Sequence, residues 1–214
     1  GSKGLPGKNV RLINGVPLIQ YSIEAAMQSS WITKSVVTSD DDRVRNLALN
    51  LDIPFIDRPS KLATDVARTY DVVKHVLENV TEHFDYFVLL QPTSPLRTGS
   101  HIDACCESFF QSGNFSSAIS VVEETHSPYK SFCIDEGDIL TPLFDEKYLD
   151  QPRQLLPKVY AQNGAIYLCE VATFLNGTNF FHSPVMPFIM SENDSVDVDT
   201  ALDLDRVQHL LNDV

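Results

Sequence analysis

Apolar residues alternate between two spacings along this chain, and that alternation restricts the fold more than any single motif does. Leu18, Ile19, Ile23, Ala26 and Met27 recur at helical spacing directly after Pro17, a residue suited to a first helical turn. "SVVTSD" (35–40) is a short β-rich run, and "DDDRVRNLALNLD" after it is acidic where a helix N-terminus favours negative charge. "IPFIDRP" (53–59) reads as a strand entering a turn, and Val72, Val73, Val76, Leu77 and Val80 form another helical stripe. "DYFVLLQ" (85–91) is continuously apolar, as a strand covered on both faces must be. Ile102, Cys105, Cys106, Phe109 and Phe110 restore the helical period, and "FSSAISVVE" (115–123) returns to strand. Strands alternating with helices predict an α/β fold with a mainly parallel sheet.

The pattern changes in the middle. "KSFCID" and "ILTPLF" flank "EGD" as the arms of a hairpin, and a polar, proline-marked segment runs from 145 to 157. "AIYLCE" (165–170) is strand-like, and "VDVDTALDLDRVQHLL" reads as a short strand, a cap and a last helix. The 214 residues, 43% of them hydrophobic, suffice for one domain with a sizeable core, and no repeat divides them. No apolar run approaches the ~20 residues of a membrane helix, so no membrane partner is expected.

The four cysteines have neither zinc-ligand spacing nor a place in a disulfide framework, and they read as reduced thiols. With no secretory pattern at the start, they predict a cytoplasmic protein. A net charge of −13 argues against a nucleic-acid partner, which selects a basic face. Small anions remain admissible, because a few placed cations or a metal bridging carboxylates to phosphates can hold them.

Four stretches carry potential chemistry. "GSKGLPGKN" (1–9) fails both the Walker A and the G-x-G-x-x-G patterns. It is either a flexible tail or a glycine-relaxed loop whose free amides, with Lys3 and Lys8, suit phosphate. "QPTSPLR" (91–97) follows the apolar strand, at the carboxyl end where α/β sheets bind ligands. Its two prolines stiffen a loop presenting Gln91, Thr93, Ser94 and Arg97, and a turn with Ser94 or Thr98 capping the next helix is the plainer alternative. In "SVDVDTALD" (195–203), Asp197 and Asp199 fall on one face ~7 Å apart along an extended chain. That pair suits a hard cation such as Mg²⁺, or else Asp199 caps the last helix and Asp197 is solvated. "QPRQLLPKVYAQNGAIY" (151–167) mixes cationic and amide groups with tyrosines, which suits a carboxylated sugar; a solvent-facing connector is the plainer alternative.

In this order, "GSKGLPGKN", "RPSKLATD", "LLQPTSPLRTGSHI", "QPRQLLP", "NGAIY" and "SVDVDTALDLD" resemble the bacterial acylneuraminate cytidylyltransferases, nearly end to end. The resemblance implies a Rossmann-like nucleotidyltransferase sheet in a single domain, 1–214, with 126–160 as an inserted dimerisation arm. It also implies a first strand, ending in an arginine, ahead of the opening loop; the sequence starts inside that motif. The implied reaction joins CTP to a nine-carbon 2-keto sugar acid, giving the CMP-sugar and pyrophosphate.

The implied nucleotide and phosphate contacts are Gly1, Ser2, Lys3, Gly4, Lys8, Asn9, Arg58, Thr69 and Ser94. Gln91, Arg153, Asn163, Tyr167, Phe180 and Phe181 would face the sugar. Asp197 and Asp199 would carry Mg²⁺, and Lys8, Gln91 and Asp199 would act in the chemistry. A homodimer is implied, with Arg153 reaching the other subunit's pocket. Relatives often carry Arg-Pro where this chain has Ala161-Gln162, which leaves N-acetylneuraminate and legionaminate both open as the sugar. A 3-deoxy-manno-octulosonate cytidylyltransferase and an inactive nucleotide-binding relative are the competing expectations.

Overall fold

A computed structural model describes residues 5–212. A one-turn 3-10 helix, Lys8–Val10, leads into a tight hairpin, β1 (Leu12–Ile13) and β2 (Val16–Pro17). Then come α1 (Leu18–Gln28), β3 (Val37–Ser39), α2 (Asp42–Asn50), β4 (Phe55–Asp57), α3 (Thr69–Asn79), β5 (Tyr86–Leu89) and α4 (Gly99–Ser112). β6 (Ser117–Glu123) is followed by the hairpin β7 (Phe132–Ile134) and β8 (Leu140–Pro142). β9 (Tyr160–Glu170), α5 (Val171–Asn176), β10 (Val185–Ile189) and α6 (Ala201–Asn212) complete the chain.

The α/β expectation holds. The main sheet has the order β10-β6-β9-β5. β10 runs parallel to β6, and β9 lies antiparallel between β6 and β5, so three of the four strands share a direction. β10 contains Pro187, which an edge strand tolerates because one row of its amides needs no partner. β3 and β4 pair in parallel as a separate two-stranded sheet.

The expected single sheet is thus in two pieces. β3 and β5 line a common cavity of about 1300 Å³, and each has a sheet partner on one side only among the described residues. α1 and α3 cover this cavity with Ile19, Ile23, Val73 and Val76. The α3 stripe is therefore only partly packed: Val73 is buried, whereas Val72, Val76 and Leu77 are half-exposed along the cavity. Gly7, Lys8 and Asn9 also line this cavity.

Two helices hold the main sheet from behind. α4 buries Ile102, Cys105, Cys106 and Phe109 against Ala118, Ile166 and Leu168 of the sheet. Burial pushes the Cys105 and Cys106 thiols up, to about 12 and about 11, so both serve as small apolar side chains. Thr98, not Ser94, caps α4: its hydroxyl accepts from the His101 amide, and the His101 ring accepts from the Thr98 amide. In α1 the polar Ser22 is buried while Met27, expected in the apolar stripe, is exposed.

α1 and α4 touch closely because Gly99 lacks a side chain. A Cβ there would lie 2.9 Å from Gln28 Cβ and 3.1 Å from the Ala25 carbonyl oxygen. Gly99→Ala is expected to destabilise the fold by about 1–3 kcal/mol, as overpacking does, and to lower the urea midpoint without changing the slope. An unaltered midpoint would show that the two helices can part at no cost.

Candidate active site

The opening loop and the acidic segment near the other end of the chain meet. Gly7 adopts φ 66°, a left-handed conformation natural to glycine, and turns the chain into the 3-10 helix that begins at Lys8. Lys8 Nζ donates to Asp199 Oδ1 at 2.8 Å, across 191 positions of sequence. The Lys8 side chain is 11% exposed and that of Asp199 is 72% exposed, so the ammonium emerges from a covered stem to meet a carboxylate in solvent. Residues 1–4 fall outside the described residues, and with them the expectations for Gly1, Ser2, Lys3 and Gly4.

The acidic segment is extended but pairs into no sheet, contrary to the expected strand. Its alternation has another cause: Val196 and Val198 bury themselves against Leu5, Ile13, Leu18 and Val207, which turns Asp197 and Asp199 outward. The Val198 amide donates to the Thr93 carbonyl at 2.8 Å, tying the segment to the loop after β5. Thr200 and Asp203 cap α6 between them. The Thr200 hydroxyl accepts from the Asp203 amide, and Asp203 Oδ2 accepts from the amides of Asp199 and Thr200. Asp199 is thereby released from the capping duty that the sequence also allowed.

The Asp197 carboxyl is held above the usual carboxylate range. Partial burial is the main cause, and the negative charges of Asp199 and Asp203 add to it; hydrogen bonding from Thr93 and the charge of Lys8 pull the other way. Among the described residues no group of three or more His, Cys, Asp or Glu side chains converges as a metal cage. Asp197 and Asp199 are the two carboxylates available at this spot, and Asp199 is engaged by Lys8.

The loop after β5 organises the opposite wall. Opposite Ser120 of β6, four residues of β9, Asn163–Ile166, bulge between the pairs Ile119–Tyr167 and Val121–Gln162. Gly164, with φ 74°, makes the bulge possible, and a Cβ there would lie 2.5 Å from Gln91 Oε1. Gln91 therefore lies directly over the bulge. Ser94 is fully buried below it and donates to the Asn163 carbonyl at 2.9 Å. The Asn163 carboxamide is buried as well: Oδ1 accepts from Ser120 and the Ala165 amide, and Nδ2 donates to Ser195 and Met190 Sδ.

The remaining expected residues divide. Lys8, Asn9, Arg58, Thr69 and Gln91 all line the large cavity. Arg58 donates to the Thr38 carbonyl at 2.7 Å, and burial lowers its pKa against the opposing charge of Asp40. Tyr167 stands near the acidic pair: burial raises its pKa first, and the charge of Asp197 raises it further. Its hydroxyl donates to Gln162 Oε1 at 3.3 Å. Phe180 packs on Tyr167 with ring centroids 5.4 Å apart, whereas Phe181 is 61% exposed. Arg153 lies exposed on the segment before β9 and forms no ion pair with a described residue. Sequence reasoning missed Ser22, Ser120 and Ser195, all structural supports of this wall. The T-x-x-D pattern at 200–203 was a legible signal for the α6 cap.

A family model described as Cytidylyltransferase matches residues 1–179. The N-acylneuraminate cytidylyltransferase of Escherichia coli O18:K1:H7 (strain RS218 / NMEC) is 32% identical over 205 residues, 96% of this chain and 48% of that protein. The chain spans about half the length of that relative and of its Streptococcus agalactiae counterparts. The CMP-N,N'-diacetyllegionaminic acid synthase of Legionella pneumophila subsp. pneumophila (strain Philadelphia 1) is 33% identical, with 99% of this chain and 92% of that protein covered. Among solved structures, a CMP:2-keto-3-deoxy-manno-octonic acid synthetase complexed with CTP superposes with a TM-score of 0.73 at 18% identity, covering 100% of this chain and 95% of the other. That likeness bears on the fold alone.

The raised Asp197 pKa fixes the sign of a stability effect. The fold favours the protonated form, so a charged Asp197 costs stability above its folded pKa, and the cost disappears as pH falls below the ordinary aspartate value. Asp197→Asn is therefore expected to raise Tm at about pH 7, with the gain shrinking toward about pH 4. Thermal melts at the two pH values check this, and a variant less stable than wild type at neutral pH would contradict it.

Proposed function

The chain belongs to the cytidylyltransferase family, and we propose that it activates a nine-carbon 2-keto sugar acid with CTP, releasing pyrophosphate. The observation that carries this reading is the contact of Lys8 with Asp199 beside the charge-strained Asp197. A cation and two carboxylates at one spot suit a triphosphate with its counter-ion. Lys8, with Asn9 and the loop amides, supports the phosphates, and Arg58 and Thr69 face the nucleotide. Asp197 and Asp199 would hold Mg²⁺, and the ion would supply positive charge against the triphosphate.

The sugar lies against Gln91, Tyr167 and Phe180, with Arg153 reaching it from a second subunit. Its anomeric hydroxyl oxygen forms a bond to the α-phosphorus as the bond to the β-phosphate bridging oxygen breaks. The hydroxyl proton passes to Asp199 or to a water beside it. Alignment of these partners, more than covalent participation of the protein, supplies the rate. The relatives' printed names support N-acetylneuraminate, N,N'-diacetyllegionaminate or a related sugar acid as substrate. A cytoplasmic location is part of this proposal. Separately, no described helix is long and apolar enough to cross a membrane.

Residues 126–160 form a dimerisation arm in this reading. Phe132, Ile134, Ile139, Leu140, Leu143 and Phe144 are all exposed on and around the β7–β8 hairpin, more apolar surface than a monomer's hairpin would leave in water. Ile134→Asp with Leu140→Asp is expected to convert a dimer to a monomer by light scattering. Monomeric wild type at micromolar concentration would contradict the arm's role.

Pyrophosphate release with CTP, Mg²⁺ and each sugar acid tests the activity. Turnover is expected with a nine-carbon acid and not with 3-deoxy-manno-octulosonate alone, and Asp199→Asn is expected to reduce it at least ~100-fold. A loss below threefold would remove Asp199 from the chemistry. No release with any sugar acid would favour a nucleotide-binding relative without catalysis.

A further inference from the structure

Arg97 is 1% exposed and is the largest fully buried side chain in the described fold. No carboxylate among the described residues pairs with it, and burial alone pushes its pKa down to about 10, so among them it is a cation at neutral pH without a counter-charge. Its Nη1 is buried with no partner among the described residues. Burying such a group is unfavourable in general, and a purely apolar side chain would avoid that cost.

Its other nitrogens account for its place in the fold. Nε donates to the Ala165 carbonyl at 3.0 Å, and Nη2 donates to the Ser22 hydroxyl at 2.7 Å and the Gln91 carbonyl at 3.2 Å. The Ser22 hydroxyl donates in turn to that same Gln91 carbonyl at 3.2 Å. One planar fork therefore joins α1, the loop after β5 and the bulge of β9. The joined points flank Gly164, over which the Gln91 carboxamide lies.

We propose that Arg97 is a positioning residue. By clamping the Gln91 carbonyl to Ser22 and to the Ala165 carbonyl, it fixes the Gln91 carboxamide over the bulge and so sets the face that receives the sugar acid. This rests on the function proposed above. A lysine retains the charge but cannot reach three elements from one plane. The guanidinium touches neither substrate, and its influence passes through the Gln91 backbone. The effect falls on the sugar acid more than on CTP, because Lys8, Asn9 and Arg58 belong to elements that Arg97 does not bond.

Hydrogen exchange and kinetics on Arg97→Lys together test this. Exchange of the amides in 91–98 and 163–167 is expected to accelerate at least ~10-fold, with α2 amides unchanged. The sugar-acid kcat/KM is expected to fall about 10- to 100-fold, the KM for CTP moving less than threefold. In a Gln91→Ala background the same substitution is expected to cost less than threefold more, because the group it acts through is gone.

Unchanged exchange in both segments, acceleration everywhere alike, or equal losses in the presence and absence of the Gln91 carboxamide would each overturn the proposal. Should Arg97→Lys not fold, Ser22→Ala removes one acceptor of the fork, and the same local acceleration is expected at smaller amplitude; its absence overturns the proposal. Wild-type protein that turns over no sugar acid, yet shows local acceleration on substitution, would sink the functional reading and leave the clamp established.

Discussion

Lys8 and Asp199 stand 191 positions apart, and their 2.8 Å contact is where the two ends of this fold are made to agree. On one side the left-handed Gly7 fixes the direction in which Lys8 leaves the loop. On the other, burial of Val196 and Val198 turns Asp199 to the outer face, where it meets Lys8. An exposed ion pair of this kind contributes little stability by itself, typically under ~1 kcal/mol. Its importance is electrostatic: it sets an ammonium beside two carboxylates that repel each other.

That repulsion is informative. A fold selected for stability alone would not keep Asp197 next to Asp199 and Asp203 with its pKa raised. Arg97 presents the same conflict with opposite sign, a buried cation with no paired anion among the described residues. Both groups lie on elements tied together by the loop after β5, the first through the Val198–Thr93 hydrogen bond and the second through Gln91. Local electrostatic costs concentrated in one region are the usual mark of a site built to bind charge.

Much of the fold was legible because its signals are local. The helical stripe after Pro17, the apolar run 85–91 and the hairpin flanking Glu136–Asp138 each depend on residues within one element, and α1, β5 and β7–β8 stand where those patterns put them. β10 was not legible: Pro184 precedes it and Pro187 lies within it, and proline argues against a strand except at a sheet edge. The division of the sheet between β3 and β5 was also invisible, because pairing between strands far apart in sequence leaves no periodic trace. Within the site, residue types were readable but their orientation was not. Ser94 and Asn163 have the chemistry of ligand contacts, yet both are consumed in holding the Gly164 bulge. Only the three-dimensional register of β9 against β6 decides that.

The central claim is that the Lys8 ammonium is held by Asp199 until a triphosphate with its metal ion takes its place. A crystal structure of this chain with CTP and Mg²⁺ tests it most directly. The account predicts Lys8 Nζ displaced from Asp199 onto phosphate oxygen, with Asp197 and Asp199 turned to the metal. A nucleotide bound elsewhere, with the Lys8–Asp199 contact intact, would contradict it.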